Sequence, residues 1–176
     1  DTFHTLHSHW APLAKVEETT RPLPVAEPKS HTTYAHPQIT PSGSVVMLKE
    51  DLDRPTAFVL IDTLTGREQR IAHTGLVSSR PALSPSGRIW WTEYRQSTLY
   101  AEKVASQLCY MDLDEGHPRR VRKVRNALYP TPTDSVNVAW VEYTADGRYT
   151  IVSQGVANAA ERVAVAYGSE VHGLAW

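Results

Sequence analysis

Residues 37–43 read Pro37-Gln38-Ile39-Thr40-Pro41-Ser42-Gly43, and residues 81–87 read Pro81-Ala82-Leu83-Ser84-Pro85-Ser86-Gly87. The shared pattern is Pro, any residue, aliphatic, hydroxyl, Pro, Ser, Gly, with an offset of 44 residues from Pro37 to Pro81. A β-rich run follows each copy, Val45-Val46-Met47-Leu48 and then Ile89-Trp90-Trp91-Thr92. Pro-Ser-Gly between two extended runs is a turn signal with a mechanism. Proline presets φ at the first turn position, and glycine accepts the positive φ that closes the turn.

A third, eroded copy starts at Pro130 and leads into Val138-Ala139-Trp140-Val141-Glu142-Tyr143, which matches Trp91-Thr92-Glu93-Tyr94. A second marker moves with it: Ile61-Asp62-Thr63-Leu64-Thr65-Gly66 and Met111-Asp112-Leu113-Asp114-Glu115-Gly116 are both aliphatic-Asp followed by a Gly-closed turn. Each period reads as four short strands, at about 36–39, 44–49, 56–62 and 67–73, then about 79–83, 88–94, 106–112 and 118–124, then about 129–133, 136–143, 148–153 and 161–167. Asp146-Gly147 is a hairpin signal, and Arg95 to Gln107 reads as a longer link between two strands. Val171 to Trp176 resembles the first strand of a further unit. Repeats of ~40–50 residues with four strands each predict an all-β chain built from β-propeller blades, because one blade cannot cover both of its faces and neighbours must.

The 176 residues are 41% hydrophobic and 21% charged, with 18 Lys+Arg against 19 Asp+Glu and a formal charge of -1. That balance excludes a generally basic nucleic-acid binder and an acidic disordered chain. No apolar run approaches the ~18 residues of a membrane-spanning helix. The single cysteine, Cys109, excludes an internal disulfide framework and a thiolate zinc cluster. The chain opens at Asp1 without a basic-then-apolar leader, so a signal peptide is expected to have been removed or to lie outside it.

The Pro-x-aliphatic-[Ser/Thr]-Pro-Ser-Gly turn entering a hydrophobic strand resembles the Ser-Pro-Asp-Gly turn of TolB-like (WD40-like) β-propellers. The Ile61-Asp62 and Met111-Asp112 turns resemble the strand-turn-strand that ends such blades. Ser stands where the family has Asp in two copies, and the third copy loses the Pro and Gly. The resemblance covers about 35–176. It implies a partial propeller of about three blades and, from the family's periplasmic members, a periplasm or cell-envelope location. This repeat serves scaffolds, binding platforms and the substrate-gating domains of peptidases alike.

Residues 1–34 read differently. Phe3, Leu6 and Trp10 fall on one face of a short helix that Asp1 or Thr2 can cap and Pro12 ends. Pro22, Pro24 and Pro28 then mark an extended strap. The expected division is 1–34 as the tail of a preceding domain or a propeller-packing extension, and 35–176 as the partial propeller.

Candidate chemistry is sparse. His4, His7 and His9 lack the i,i+4 spacing and third ligand of a zinc site, and no twelve-residue calcium loop surrounds Asp51, Asp53, Asp62, Asp112 or Asp114. Metals and cofactors are therefore not expected. Cys109, between Leu108 and Tyr110 in an expected inner strand, reads as a structural thiol. No Gly-x-Ser-x-Gly elbow or glycine-rich phosphate loop occurs, so no catalytic residue is assigned. Trp90, Trp91 and Trp140 read as packing between blades rather than as a ligand groove. The run Arg119-Arg120-Val121-Arg122-Lys123-Val124-Arg125 offers Arg119, Arg120, Arg122, Lys123 and Arg125 as an anion- or partner-binding patch. The preferred reading is an outermost strand whose cations blunt edge pairing, compensated by Asp112, Asp114 and Glu115. No aromatic residue interleaves the run, so nucleic acid is not the expected partner.

The leading functional expectation is a non-catalytic interaction or scaffolding module of a larger exported protein, with a protein or peptide partner. The alternative is the propeller portion of a multidomain hydrolase, a peptidase, whose catalytic residues lie outside this chain. Closed propellers need about four to eight blades. The missing blades are expected from the same polypeptide or another chain.

Overall fold

The computed structural model describes residues 31–96, 104–121, 124, 126–144, 146–154, 160–165, 169 and 171–174. These form twelve strands: β1 (Thr32–Ile39), β2 (Val45–Asp51), β3 (Ala57–Ile61), β4 (Glu68–His73), β5 (Val77–Leu83), β6 (Arg88–Gln96), β7 (Val104–Asp112), β8 (Arg119–Arg120), β9 (Ala127–Pro132), β10 (Val138–Tyr143), β11 (Tyr149–Gln154) and β12 (Glu161–Ala164). They pair in chain order into three four-stranded antiparallel sheets, β1–β4, β5–β8 and β9–β12. Each sheet is one blade. No helix occurs among the described residues, and the expected helix over 1–11 lies outside them. The chain divides into two compact units, Asp1–His73 with the first blade and Thr74–Trp176 with the other two.

The repeated turn closes as its residues dictate. Gly43 donates its N–H to Thr40 O at 2.9 Å and Gly87 to Ser84 O at 3.0 Å, with φ of 85° and 83°. The hydroxyl of the motif is buried in both copies. Thr40 Oγ1 donates to Ser44 O, and Ser84 Oγ accepts from Arg88 N, so each hydroxyl satisfies a backbone group of the turn. Asp146-Gly147 makes the same closure between β10 and β11, with Gly147 N donating to Thr144 O.

The prolines that open the motif have a further consequence. The inner strand of every blade slips register at the same repeat position, around His36-Pro37, Arg80-Pro81 and Tyr129-Pro130. A proline has no N–H for the ladder, so the strand bulges there. His36 and Tyr129 take the left-handed φ of 56° and 51°.

In the second unit, Trp90, Leu108, Val124, Ala127, Val138, Trp140 and Val152 form one buried cluster joining the second and third blades. In the first blade Val45, Met47, Val59 and Ile61 cluster on one face with Tyr34 packed against them.

Two strand expectations are corrected. The stretch from Arg95 to Gln107 is not all link: β6 and β7 continue as a hairpin arm pairing Tyr94 with Ser106, Arg95 with Ala105 and Gln96 with Val104. Conversely, the outer strand expected at 118–124 is reduced to Arg119–Arg120. Gln107 is the physical reason. Val121 N still donates to Leu108 O at 3.0 Å, but Gln107 Nε2 takes Val121 O at 2.8 Å and Val124 O at 3.0 Å, and Val124 lies in the inter-blade cluster and not on the edge.

A Cβ at Gly87 would meet nothing within 4 Å, so Gly87→Ala isolates the backbone strain. It is expected to cost about 1–2 kcal/mol, read as a lower denaturant midpoint, with Gly87→Asn milder. An unchanged midpoint for the alanine variant would show that the turn does not need its positive φ.

Candidate functional site

Three charged side chains recur at one repeat position, two residues after Met47, Trp91 and Trp140, where Glu93 is buried and Lys49 and Glu142 are half-buried. In the third blade Trp140 Nε1 donates to Glu142 Oε1 at 3.1 Å, and Arg162 on β12 donates to Glu142 Oε2. In the second, Trp91 Nε1 donates to Glu93 Oε1 at 2.9 Å, and Gly75 N donates to the same oxygen at 3.0 Å. A Cβ on Gly75 would lie 3.1 Å from Glu93 Oε2, so the close approach of backbone to carboxylate suits glycine. In the first blade Lys49 takes the place. Its Nζ donates to Glu68 Oε1 at 2.8 Å and lies 5.1 Å from the centroid of the Tyr34 ring, while Tyr34 OH donates to Glu68 Oε2 at 2.5 Å. Burial, then the bond to Glu68, raises the Tyr34 phenol. Burial alone would lower the Lys49 ammonium, but Glu68 and Tyr34 hold it above its ordinary value.

Glu93 shares its side of the second blade with Cys109 and Arg120. Register aligns Trp91 with Cys109 and Cys109 with Arg120. Burial, reinforced by the Glu93 charge, pushes the Cys109 thiol up to about 12 against the opposing influence of Arg120 and Arg95. A thiol held protonated in this way is a packing group and not a nucleophile.

Of the basic run, Arg119 and Arg120 lie exposed on β8, and Arg122, Lys123 and Arg125 lie outside the described residues. Arg119 Nη2 meets Glu115 Oε2 at 2.6 Å. Asp112, expected to compensate the same run, is engaged elsewhere: Arg88 donates Nε and Nη2 to its two oxygens at 2.8 and 2.9 Å. The Arg88 guanidinium lies 5.0 Å from the Tyr110 ring and 6.0 Å from Trp90, so this pair braces the edge of the inter-blade cluster.

Two further acids serve turns and a third bonds across a strand pair. Asp62 accepts from the N–H of Leu64 and Thr65, and Asp134 from those of Val136 and Asn137. Asp51 accepts from the Thr32 hydroxyl. Among the described residues no group of three or more His, Cys, Asp or Glu side chains is placed to hold a metal ion. The His4, His7 and His9 group lies outside them. Trp90 and Trp140 pack between blades as expected, and Trp91 is fully buried. The residues that sequence reasoning missed are Glu93, Glu142 and Lys49, and their signal was present in the recurrence of Trp-x-Glu at Trp91 and Trp140.

No family model matches the chain, and no curated protein matches it. Solved structures do. The chain is similar to a puromycin-hydrolyzing peptidase of Mycobacterium tuberculosis, at 20% identity and a TM-score of 0.63 over 83% of this chain and 24% of that one. It is similar to the β-propeller domain of the Trilobed protease from Pyrococcus furiosus, which has an open velcro topology, at 13% identity and a TM-score of 0.55 over 79% of this chain and 44% of that one. TolB from Acinetobacter baumannii matches at 14% identity and a TM-score of 0.47, over 85% of this chain and 47% of its own. The chain spans between about a quarter and a half of the length of these structures. With three four-stranded sheets in chain order, the first two likenesses make the chain a partial β-propeller, and the resemblance read from its repeat holds at the level of the fold.

Cys109 is expected to resist a thiol reagent such as dithiobis(nitrobenzoic acid) at pH 8 in the native protein and to react at once in denaturant. Rapid native labelling would contradict the burial that raises its pKa. Acid stability follows from the turn and edge carboxylates. The bond from Arg88 lowers Asp112, and backbone N–H bonds lower Asp62 and Asp134. A folded pKa below the unfolded value of about 3.9 gives stability that is full above that value and lost as pH falls through the folded one. Denaturant midpoints measured from pH 6 to pH 2 are expected to fall below about pH 4, and Asp112→Asn to flatten that fall. An Asn variant with the parental slope would remove Asp112 from the account.

Proposed function

We propose that this chain is the propeller portion of a larger peptidase, supplying substrate recognition and access while the covalent chemistry is done by residues outside it. The observation that carries the reading is the pairing of three propeller blades with fold likeness to two peptidase chains, of which it matches 24% and 44%. The chain's own reactive groups are consistent with that division. Cys109 is buried and protonated, and the hydroxyls of Ser78 and Ser79 bond Thr92 at 2.7 and 2.6 Å. Asp112, Glu93 and Glu142 are engaged by Arg88, Trp91 and Trp140.

A second reading, a non-catalytic scaffold exported to the cell envelope, is favoured by the β6–β7 arm. Leu76, Tyr94 and Val104 are 65%, 44% and 49% exposed. Tyr94 N bonds Leu76 O, and Val104 pairs with Gln96 two residues along. Alternation therefore puts all three on one face of the arm, an apolar lip of the kind that docks a protein partner. An acidic partner for the Arg119–Arg125 run is a weaker candidate, since Glu115 already neutralises Arg119.

The test uses the full-length gene product. Hydrolysis of peptidyl p-nitroanilides and labelling by a fluorophosphonate probe are expected, with the labelled serine outside these 176 residues. A full-length protein that carries neither Gly-x-Ser-x-Gly nor His-Glu-x-x-His and cleaves none of these substrates would sink the peptidase reading and leave the scaffold.

A further inference from the structure

Of the three charged groups at the shared repeat position, Glu93 is the one without a charged partner. Lys49 is paired with Glu68, and Glu142 with Arg162. None of the ion pairs among the described residues includes Glu93, although it is buried while the other two are half-buried. Its Oε1 accepts two neutral N–H groups, from Trp91 and Gly75, and no donor among the described residues bonds Oε2. Neutral donors soften the charge of a buried carboxylate without cancelling it. Such a charge stays costly until a cation pairs with it.

A second anomaly adjoins the first. Thr74 Oγ1 is buried without a hydrogen-bond partner, a state that is rare for a hydroxyl and calls for an occupant. Thr74 is joined directly to Gly75, whose N–H holds Glu93. Gly75 itself is exposed, and a Cβ on it would lie 3.1 Å from Glu93 Oε2 and 3.3 Å from Cδ. The carboxylate therefore rests against a solvent-facing residue that has no side chain to shield it. An acceptor without a donor, an unpartnered hydroxyl on the same segment and an approach past a glycine together describe a site for a small cation with N–H groups to give.

We propose that Glu93 Oε2 and Thr74 Oγ1 bind a primary ammonium group that enters past Gly75. An ammonium brings the missing charge and three N–H donors, of which one meets Oε2 and another meets Oγ1. A metal ion held by oxygen takes about six or more ligands, and among the described residues no group of three or more His, Cys, Asp or Glu side chains is placed to hold one. A quaternary ammonium has no N–H for either oxygen. Arg95 is the internal competitor. It stands two residues along β6 on the same face, is exposed, and makes no ion pair with Glu93. The ammonium can be a free amine, a lysine side chain or the amino terminus of a peptide. The inference stands apart from the peptidase reading, because it concerns binding with no covalent step.

The test titrates the full-length protein at constant ionic strength with methylammonium, with n-butylammonium as a lysine mimic and with glycinamide as a peptide-terminus mimic. Tetramethylammonium and N-acetylglycinamide are the controls. Ligands of so few atoms bind with a Kd of about 10 mM at best. At about 100 mM the best amine is therefore expected to shift the unfolding equilibrium about tenfold. It is also expected to move the Trp91 indole N–H resonance, since that group shares the carboxylate. Glu93→Gln keeps an acceptor for Trp91 and Gly75 but removes the charge, and Thr74→Val keeps the shape but removes the hydroxyl. Each is expected to reduce the shift to about twofold or less, and Thr74→Val also to raise the stability of the ligand-free protein, because an unsatisfied buried group is gone. A stronger response to n-butylammonium assigns the site to lysine side chains, and a stronger response to glycinamide to peptide termini; either supports it. An equal response to tetramethylammonium, or one that survives Glu93→Gln, would overturn the proposal as a salt effect. No response to any amine in the wild type, or one that appears only in Arg95→Ala, would overturn it too, the latter by making Arg95 the native counter-ion. Hydrolysis of p-nitroanilides is read separately and bears on the function and not on this site.

Discussion

Burial of the Trp90 and Trp140 indoles between two sheets is the contact on which the second unit depends. They are 6% and 1% exposed and belong to one cluster with Leu108, Val138 and Val152. A four-stranded sheet exposes two faces and can cover neither alone. Large aromatic side chains at the centre of each facing surface remove the most apolar area from water per residue; truncating such a side chain typically costs about 3–5 kcal/mol. The remaining features serve this contact. Bulges at Pro81 and Pro130 shape the inner strands, and Gln107 takes the carbonyl of Val124, which lies in the cluster.

An indole buried against a sheet also buries an N–H, and an unpaired donor there costs about 1–3 kcal/mol. The carboxylate two residues along is on the same face of the same strand, because side chains alternate with a period of two. Glu93 and Glu142 therefore satisfy Trp91 and Trp140 without help from another element. Each carboxylate then needs a further donor for its own charge, and the blades solve this differently: Gly75 N for Glu93, Arg162 for Glu142. The first blade has Met47 in place of the tryptophan, so no indole needs an acceptor, and the position carries Lys49, neutralised by Glu68.

The fold was legible because its determinants are local and repeated. The Thr40-Pro41-Ser42-Gly43 and Ser84-Pro85-Ser86-Gly87 turns place a φ-restricted residue and a φ-permissive one at fixed offsets, and both closed as read. The Trp91 to Trp140 correspondence was legible for the same reason. What was not legible depends on partners distant in sequence. Nothing local to Arg119–Arg125 says that Gln107 will take the carbonyls of Val121 and Val124, or that Arg88 will take Asp112 from the basic run. The strand pairing beyond Arg95 was read as a link because residues 97–103 carry no Gly or Pro to mark a hairpin.

Repetition and function pull apart in this architecture. Positions that recur, such as the turn glycines and the Trp-x-Glu pairs, are occupied by packing requirements that every blade shares, and so they say little about what the protein binds. Information about binding resides where one blade departs from the others. The second blade carries the largest departures: β6 and β7 are both nine residues long, and β8 is cut to two. Its arm displays Tyr94 and Val104 to solvent, with Leu76 exposed opposite Tyr94, although an ordinary blade needs no such extension to cover its neighbour. An apolar lip retained on an element that the fold does not require is most simply explained by a contact outside these blades. That contact serves either of the two functional readings, since a catalytic domain and a separate protein partner would both meet the propeller at its departures from the repeat.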